Sequence, residues 1–232
     1  MLALVIGASR GIGRELALKL AADQQAGAVF GTVRKAQDIP GIETLLYDLS
    51  EPANDQKLID ALAAHGASSL DLVVVNAAIG EDEKILTTSD QRLRDYLETN
   101  LIAPTRAVKA LLPLLRKSSG KQIVFISSTS GSLTKQIGAT TGFCGPYSVT
   151  KAALNMVAVQ LHNELVSERF TVVTMHPGWV ATDMGNLAIQ EDSDSRPIPV
   201  EESAAGLSKV IRGLTPESSA SFLDYTGARV PW

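Results

Sequence analysis

Gly145-Pro146-Tyr147-Ser148-Val149-Thr150-Lys151 sets a phenol and an ammonium four residues apart, and proton transfer is the chemistry such a pair can do. Pro146 has the fixed φ favoured at the first position of a helix. The spacing therefore predicts a helix opening here, with Tyr147 and Lys151 one turn apart on the same face. A positive charge a few ångström from a phenol oxygen favours phenolate and draws the tyrosine down from its ordinary value of about 10. Tyr147 is then expected to work as a general acid near neutral pH. The same spacing also arises on solvated helix faces, so its meaning depends on what the rest of the chain places around it.

The first such placement is at the N-terminus. Leu2 to Ile6 is a continuous apolar run ending in Gly7-Ala8-Ser9-Arg10-Gly11-Ile12-Gly13, after which Ile12, Leu16 and Leu20 recur at helical spacing. Strand, glycine turn and helix together make a phosphate cradle, because backbone N–H groups can close on an anion only where no Cβ intervenes. The spacing is G-x-x-x-G-x-G, which shares the logic of the dinucleotide fingerprint and not its form. A second strand, Ala28 to Val33, ends at Arg34-Lys35 and offers no acid for a ribose 2′-hydroxyl. Arg34, with Arg10 from the glycine turn, suits a 2′-phosphate and so points to NADP over NAD.

The remaining strands are expected at Ile42 to Tyr47, Leu70 to Val75, Ile123 to Ile126, Phe170 to Met175 and Ser221 to Leu223. Asp48 closes the third strand, where it can accept from an adenine amino group or simply cap a loop, and Ser50 is the expected cap of the helix through Leu58 and Leu62. The amide and small residues of Asn76-Ala77-Ala78-Ile79-Gly80, after the fourth strand, suit close approach of a cofactor. Ser89 is expected to cap a helix running past Asn100, and Pro104 and Pro113 predict a distortion that frees backbone carbonyls. A polar stretch within 183–199 reads as a substrate lid or a plain surface loop, and a helix is expected from Val200 to Leu214. Alternating strands and helices predict one α/β domain over residues 1–232. Its fold would be Rossmann-type and doubly wound, with helices on both faces of a mostly parallel, seven-stranded sheet.

Composition narrows the partners. The chain has 232 residues, 45% of them hydrophobic and 20% charged, with a formal net charge of -4 and no basic run, so neither nucleic acid nor an anionic membrane is expected. The apolar N-terminal run is too short for a signal peptide or a span. One cysteine, Cys144, excludes an internal disulfide and fits a reducing cytoplasm, and the three scattered histidines suggest no metal site.

Taken in order, Gly7-x-x-x-Gly11-x-Gly13, Asn76-Ala77, Asn100, Ser128, Tyr147-x-x-x-Lys151 and Pro177-Gly178 resemble the short-chain dehydrogenase/reductases over essentially the whole chain. Lys151-Ala152-Ala153-Leu154-Asn155, His176-Pro177-Gly178-Trp179-Val180-Ala181-Thr182-Asp183-Met184, the insertion before Tyr147 and Pro231-Trp232 are similar to the carbonyl-reductase branch around sniffer and bacterial C-factor. The resemblance implies that Tyr147 donates a proton to a carbonyl while a nicotinamide delivers hydride, and that Lys151 binds the nicotinamide ribose. Ser128, with Ser127 as its rival, would hydrogen-bond the carbonyl. Asn100 would hold a proton-relay water through its backbone, and Thr182 would hold the carboxamide. Ser9, Ile12, Leu49, Ala78, Gly178 and Val180 would complete the cofactor contacts. Ile6, Val75 and Ala78 depart from the family's usual residues, and Ile6 forgoes a hydroxyl expected to tie the first strand to the fourth.

In such a fold Ile79, Phe143, Trp179, Met184 and Leu187 surround the nicotinamide, an apolar pocket suited to aldehydes, ketones or quinones. The leading expectation is an NADPH-dependent carbonyl reductase. A regulatory or signalling protein of C-factor type, using NADP as a sensed ligand, is the alternative. An epimerase or dehydratase is disfavoured because those relatives usually carry a larger C-terminal substrate region. Homodimers or homotetramers through the helices of Asn100 and Tyr147 are common in the family.

Overall fold

Strict alternation along the strands decides how this chain packs. The computed structural model describes residues 1–23, 27–139, 143–187 and 196–232. Its strands are β1 (Ala3–Ile6), β2 (Val29–Val33), β3 (Glu43–Leu46), β4 (Leu72–Val75), β5 (Gln122–Ile126), β6 (Thr171–His176) and β7 (Ser221–Asp224). They form one seven-stranded sheet in the order β3-β2-β1-β4-β5-β6-β7, with every neighbouring pair parallel. Leu4, Ile6, Val73, Val75, Ile123 and Phe125 face one way, toward Leu58 and Leu62 of α2 (Asn54–Ala64), Val108 and Leu111 of α4 (Ala103–Arg116) and Leu154 and Leu161 of α6 (Gly145–Leu165). Ala3, Val5, Leu72, Val74, Val124 and Val173 face the other, toward Leu16 and Leu20 of α1 (Gly11–Ala21) and Leu207 and Ile211 of α8 (Val200–Arg212). Both faces of the central strands are thus dry, as a fully covered parallel sheet requires.

The order reverses between β1 and β4, and parallel strands bring all their C-terminal ends to the same edge, where this architecture gathers ligands. Two ties hold that edge together without the missing hydroxyl at Ile6. The Ile6 carbonyl accepts from the N–H groups of Asn76 and Ala77, both at 3.0 Å, and the Asn76 side-chain amide donates to the Gly7 carbonyl at 2.9 Å. On the far side Thr32 Oγ1 accepts from the Gly7 N–H at 2.9 Å.

The helix through Asn100 is interrupted as its prolines predict. Ser89 accepts from the Arg92 N–H at 3.2 Å and opens α3 (Asp90–Leu97), a π-helical segment follows over Glu98–Ile102, and α4 starts with Pro104 in its first turn. Ser50 does not cap its helix: α2 begins four residues later behind Ala53, and Ser50 instead donates its backbone N–H and hydroxyl to Asp48. The short distance between them makes that local turn cheaper than reaching into the helix. Of the segment expected as a lid, α7 (Asp183–Asn186), Leu187 and residues 196–199 are described, and 188–195 lie outside the described residues. Ile198 returns to the sheet edge by exchanging backbone hydrogen bonds with Trp179 and Ala181 at 2.7 and 2.9 Å.

Gly13 is the tightest point of this edge. A Cβ there would overlap the Gly7 carbonyl oxygen and stand 2.5 Å from the Asn76 amide nitrogen, both fixed by the bonds above. Gly13→Ala is therefore expected to destabilise the fold by about 1–3 kcal/mol, visible as a Tm lowered by roughly 5 °C in a thermal melt. An unchanged Tm would show that α1 can shift away from β4.

Candidate active site

The residues singled out by type and spacing fall in two sets: those in the loops after the strands, such as Gly7, Asp48, Asn76, Ser128 and Gly178, and those on helices, such as Tyr147 and Lys151 on α6 and Asn100 in the π-helical segment. The glycine turn between β1 and α1 presents Gly7 and Gly11 in the left-handed region, at φ 89° and 56°, so the turn needs residues without a Cβ penalty. Arg10 precedes α1 in an extended conformation and gives it no side-chain cap, which leaves the first N–H groups of the helix for another acceptor. The Ser9 carbonyl accepts from Gln37 at 3.0 Å, pinning the turn to the loop after β2. Thr182, expected to hold a carboxamide, packs its methyl against Gly11 and caps α7 through the Gly185 N–H at 3.0 Å.

Each of the two arginines expected at a 2′-phosphate has a carboxylate nearby. Arg10 pairs with Asp183 across the cleft, at side-chain exposures of 73% and 74%. Arg34 lies near Asp48, whose carboxyl is held below its usual range by the two Ser50 hydrogen bonds and then by the Arg34 charge. Asp48 therefore does cap its loop. Leu49 beside it is buried, its carbonyl accepting from Arg106 at 2.6 Å.

Around Tyr147 the geometry is closed. Ser127 and Ser128 follow β5, and their partners distinguish them. Ser127 is buried with its hydroxyl donated to Asn155 Oδ1 at 2.6 Å, whereas Ser128 Oγ accepts from the Ser130 N–H at 3.1 Å and lies close enough to the Tyr147 phenol to pull its pKa down. Lys151 is 3% exposed, its ammonium donating to the Ile126 carbonyl at 2.9 Å and standing 5.6 Å from the centre of the Tyr147 ring. Asn100 is 1% exposed, and its side chain is consumed by structure. Its Oδ1 accepts from the Ile79 N–H at 2.9 Å, and its Nδ2 donates to the Ile79 carbonyl at 2.9 Å and Thr150 Oγ1 at 3.1 Å. Asn100 thereby clamps the β4 exit loop onto α6, and its backbone sits in the π-helical segment.

The expected lowering of the tyrosine pKa is not what the site produces. Burial pushes the Tyr147 phenol up to about 12, against a smaller downward pull from the Ser128 hydrogen bond, and burial also pushes Lys151 down to about 8. The ammonium is beside the ring and bonded to a carbonyl, so desolvation outweighs its pull on the phenol.

Of the expected pocket, Phe143 meets the Tyr147 ring edge-on at 5.2 Å between centroids, with Ile79 and Met184 packed against the pair. Trp179 is fixed by its indole N–H on the Gly185 carbonyl at 2.8 Å, and Leu187 is 57% exposed. Pro177, Gly178 and Val180 form the turn after β6, with Gly178 at φ 88°. Tyr96 in this wall was not anticipated from the sequence, and Gly80 was expected only as a small residue that lets a cofactor approach. Tyr96 is completely buried in the same cluster, and its hydroxyl accepts from the Glu81 N–H at 2.9 Å and donates to Glu83 at 3.2 Å. It lies four residues before Asn100, a helical spacing that marks the shared face. Gly80 leaves room for Tyr147 and Met184, since a Cβ there would stand 2.9 Å from Tyr147 Cδ2 and 3.1 Å from Met184 Sδ. Among the described residues no group of His, Cys, Asp and Glu could hold a metal ion, and no helix is long and apolar enough to cross a membrane.

A glycine turn thus follows β1 at the switch point of a parallel sheet, and half-buried Ser128 follows β5 beside the buried Tyr147 and Lys151. A short chain dehydrogenase family model matches residues 1–193, and the chain belongs to that family. It is similar to the carbonyl reductase Sniffer of D. melanogaster, at 29% identity and a TM-score of 0.86 over 99% of this chain and 98% of that one. It is also similar to the NADPH-bound carbonyl reductase from chicken fatty liver, at 29% identity and a TM-score of 0.90 over 100% and 94%. The C-signal protein of Myxococcus xanthus is 38% identical over 133 residues, 57% of this chain and 74% of its own.

The Lys151 shift has a consequence for stability that does not involve turnover. An unfolded lysine keeps its proton up to about 10.5, while the folded one loses it near 8. The unfolded chain therefore binds more protons between those values, and stability must rise with pH across that window. Measured by urea unfolding at pH 7.5 and 10, the wild type is expected to gain about 1–3 kcal/mol relative to Lys151→Met. Parallel profiles for the two proteins would mean that the ammonium is hydrated in the folded state.

Proposed function

We propose that this protein is an NADPH-dependent reductase of small apolar carbonyl compounds, with Tyr147 as the proton donor. The observation that carries the proposal is the juxtaposition of Ser128, the buried Tyr147 phenol and the buried Lys151 ammonium 5.6 Å from the ring centre, walled by Ile79, Phe143 and Met184. Burial keeps the phenol protonated throughout the neutral range, the state from which it can give a proton to a carbonyl oxygen. The single Ser128 O–H can donate to the carbonyl oxygen as negative charge develops on it. Lys151, charged below about pH 8, adds a cation to the same spot.

The residues present fit a dinucleotide. The glycine turn has no Cβ where a pyrophosphate must approach, the first turn of α1 has no side-chain cap, and Gly13 cannot accept a side chain at all. Gly7, Ser9, Gly11, Ile12 and Gly13 would hold the pyrophosphate end, Asp48 and Leu49 the adenine, and Asn76, Ala77 and Ala78 the floor beneath. Lys151, Pro177, Gly178, Val180 and Thr182 would hold the nicotinamide end. When bound, NADPH supplies the hydride. Arg34, exposed and following β2, would meet the 2′-phosphate. The solved NADPH complex of the chicken carbonyl reductase supports this choice. An apolar wall, with Glu81 and Glu83 at its edge, favours uncharged aldehydes, ketones and quinones over carboxylates.

The likeness to C-signal favours a second reading, in which the same cleft serves a signalling protein and binding rather than turnover matters. The two separate on one experiment. NADPH and NADH oxidation is followed with wild-type and Tyr147→Phe proteins against aromatic aldehydes, diketones and quinones. The reductase reading expects NADPH-dependent turnover that falls by about 10²–10⁴-fold in Tyr147→Phe. Tight NADPH binding without turnover on any substrate would move the weight to signalling.

Cofactor choice has its own test. Arg34→Asp is expected to raise the KM for NADPH by about 10–100-fold, the range of a charge-assisted hydrogen bond, while leaving that for NADH nearly unchanged. An equal rise for both cofactors would remove Arg34 from the 2′-phosphate site.

A further inference from the structure

Ser128 occupies a loop whose neighbours on both sides are held by side chains that the proposed chemistry does not use. On one side, Ser127 continues the ladder by donating its N–H to the Met175 carbonyl at 2.7 Å, and its hydroxyl donates to Asn155 Oδ1 at 2.6 Å. On the other, the Thr129 N–H donates to His176 Nδ1 at 3.3 Å. The short 3-10 turn Thr129–Gly131 closes behind Ser128, and the Gly131 carbonyl accepts from Asn155 Nδ2 at 3.2 Å. Asn155 therefore bridges both ends of the loop with its two amide atoms. It is 3% exposed, so neither bond competes with water.

Asn155 lies on α6 four residues beyond Lys151 and eight beyond Tyr147, the same stripe of the helix. The loop is pressed onto that stripe: a Cβ on Gly131 would stand 2.6 Å from the Lys151 carbonyl carbon and 2.9 Å from the Ala152 nitrogen. One helix thus carries the phenol, the ammonium and the amide that fixes the serine. His176, at the end of β6, supplies the opposing wall with an acceptor nitrogen. Burial pushes this imidazole down to about 4, so it stays neutral and keeps that acceptor across the neutral range.

Resting on the reductase reading, we infer that Asn155 and His176 are positioning residues that together hold Ser128 beside the Tyr147 phenol. They act only through Ser128. Removing either lets the loop move by a fraction of an ångström, enough to shift the serine hydroxyl away from the phenol. A residue that merely stabilised the fold would lower Tm without caring whether Ser128 kept its hydroxyl.

A double-mutant cycle reads this difference. Asn155→Ala alone is expected to lower kcat about 10-fold with the KM for NADPH unchanged, and Ser128→Ala about 100-fold. In the Ser128→Ala background, Asn155→Ala should cost nothing further in kcat, although the two Tm losses add. Losses in kcat that multiply to about 1,000-fold would overturn the inference while leaving the reductase reading intact. Absence of Tyr147-dependent turnover in the wild type would overturn that reading and this inference with it. Should Asn155→Ala not fold, His176 provides the same test. His176→Asn keeps an acceptor near the place of Nδ1 and should retain kcat within about 3-fold, while His176→Leu should lose about 10-fold only when Ser128 is present. Equal kcat in the Asn and Leu variants would remove His176 from the frame.

Discussion

Burial of the Lys151 ammonium is the constraint around which the site is arranged. A lysine taken out of water loses hydration worth several kcal/mol, and the Ile126 carbonyl and the face of the Tyr147 ring return only part of it. The carbonyl is available because Ile126 is the last residue of β5, where the ladder ends and its oxygen is free to turn toward α6. The helix and the strand are thereby locked in register. The two apolar layers on either side of the sheet must be extensive enough to carry this local cost, and a stability that improves above pH 8 is its signature.

The same principle governs the other edge of the cleft. Gly7, Gly13 and Asn76 stack so closely that side chains are excluded, and the Asn76 amide takes over the tie that a hydroxyl at position 6 would have made. Ile6 can then remain part of the dry core. Apolar substitution at one strand end has been offset by polar side chains on its two neighbours, Thr32 and Asn76. The floor of the cleft is built from backbone and amide, and its shape does not depend on any titrating group.

Much of this was legible in the sequence because parallel strands write long apolar runs and glycine turns write themselves at fixed offsets. The seven strands and the helix opening at Pro146 agree with the structure to within a residue or two at most ends. Ser128 was preferred to Ser127 on the resemblance alone, since spacing cannot separate two adjacent hydroxyls; the structure adds that the Ser127 hydroxyl is held by Asn155. Ser50 misled because Asp48 competes for it two residues away. The sign of the Tyr147 shift failed for a related reason: spacing shows that a cation is near, and says nothing of how much water both groups have lost. Tyr96 was missed because a buried aromatic looks like any other until the wall it completes is seen.

A phenol held at high pKa and an ammonium held at low pKa are each disfavoured in the charged form. Burial by itself therefore favours the neutral phenol, and Ser128 is the one downward pull on it among the described residues. In the proposed reaction that pull acts only if the serine is already in place. A loop fastened at both ends by one amide on the helix that carries the phenol supplies the required rigidity, since serine and tyrosine then move as one body.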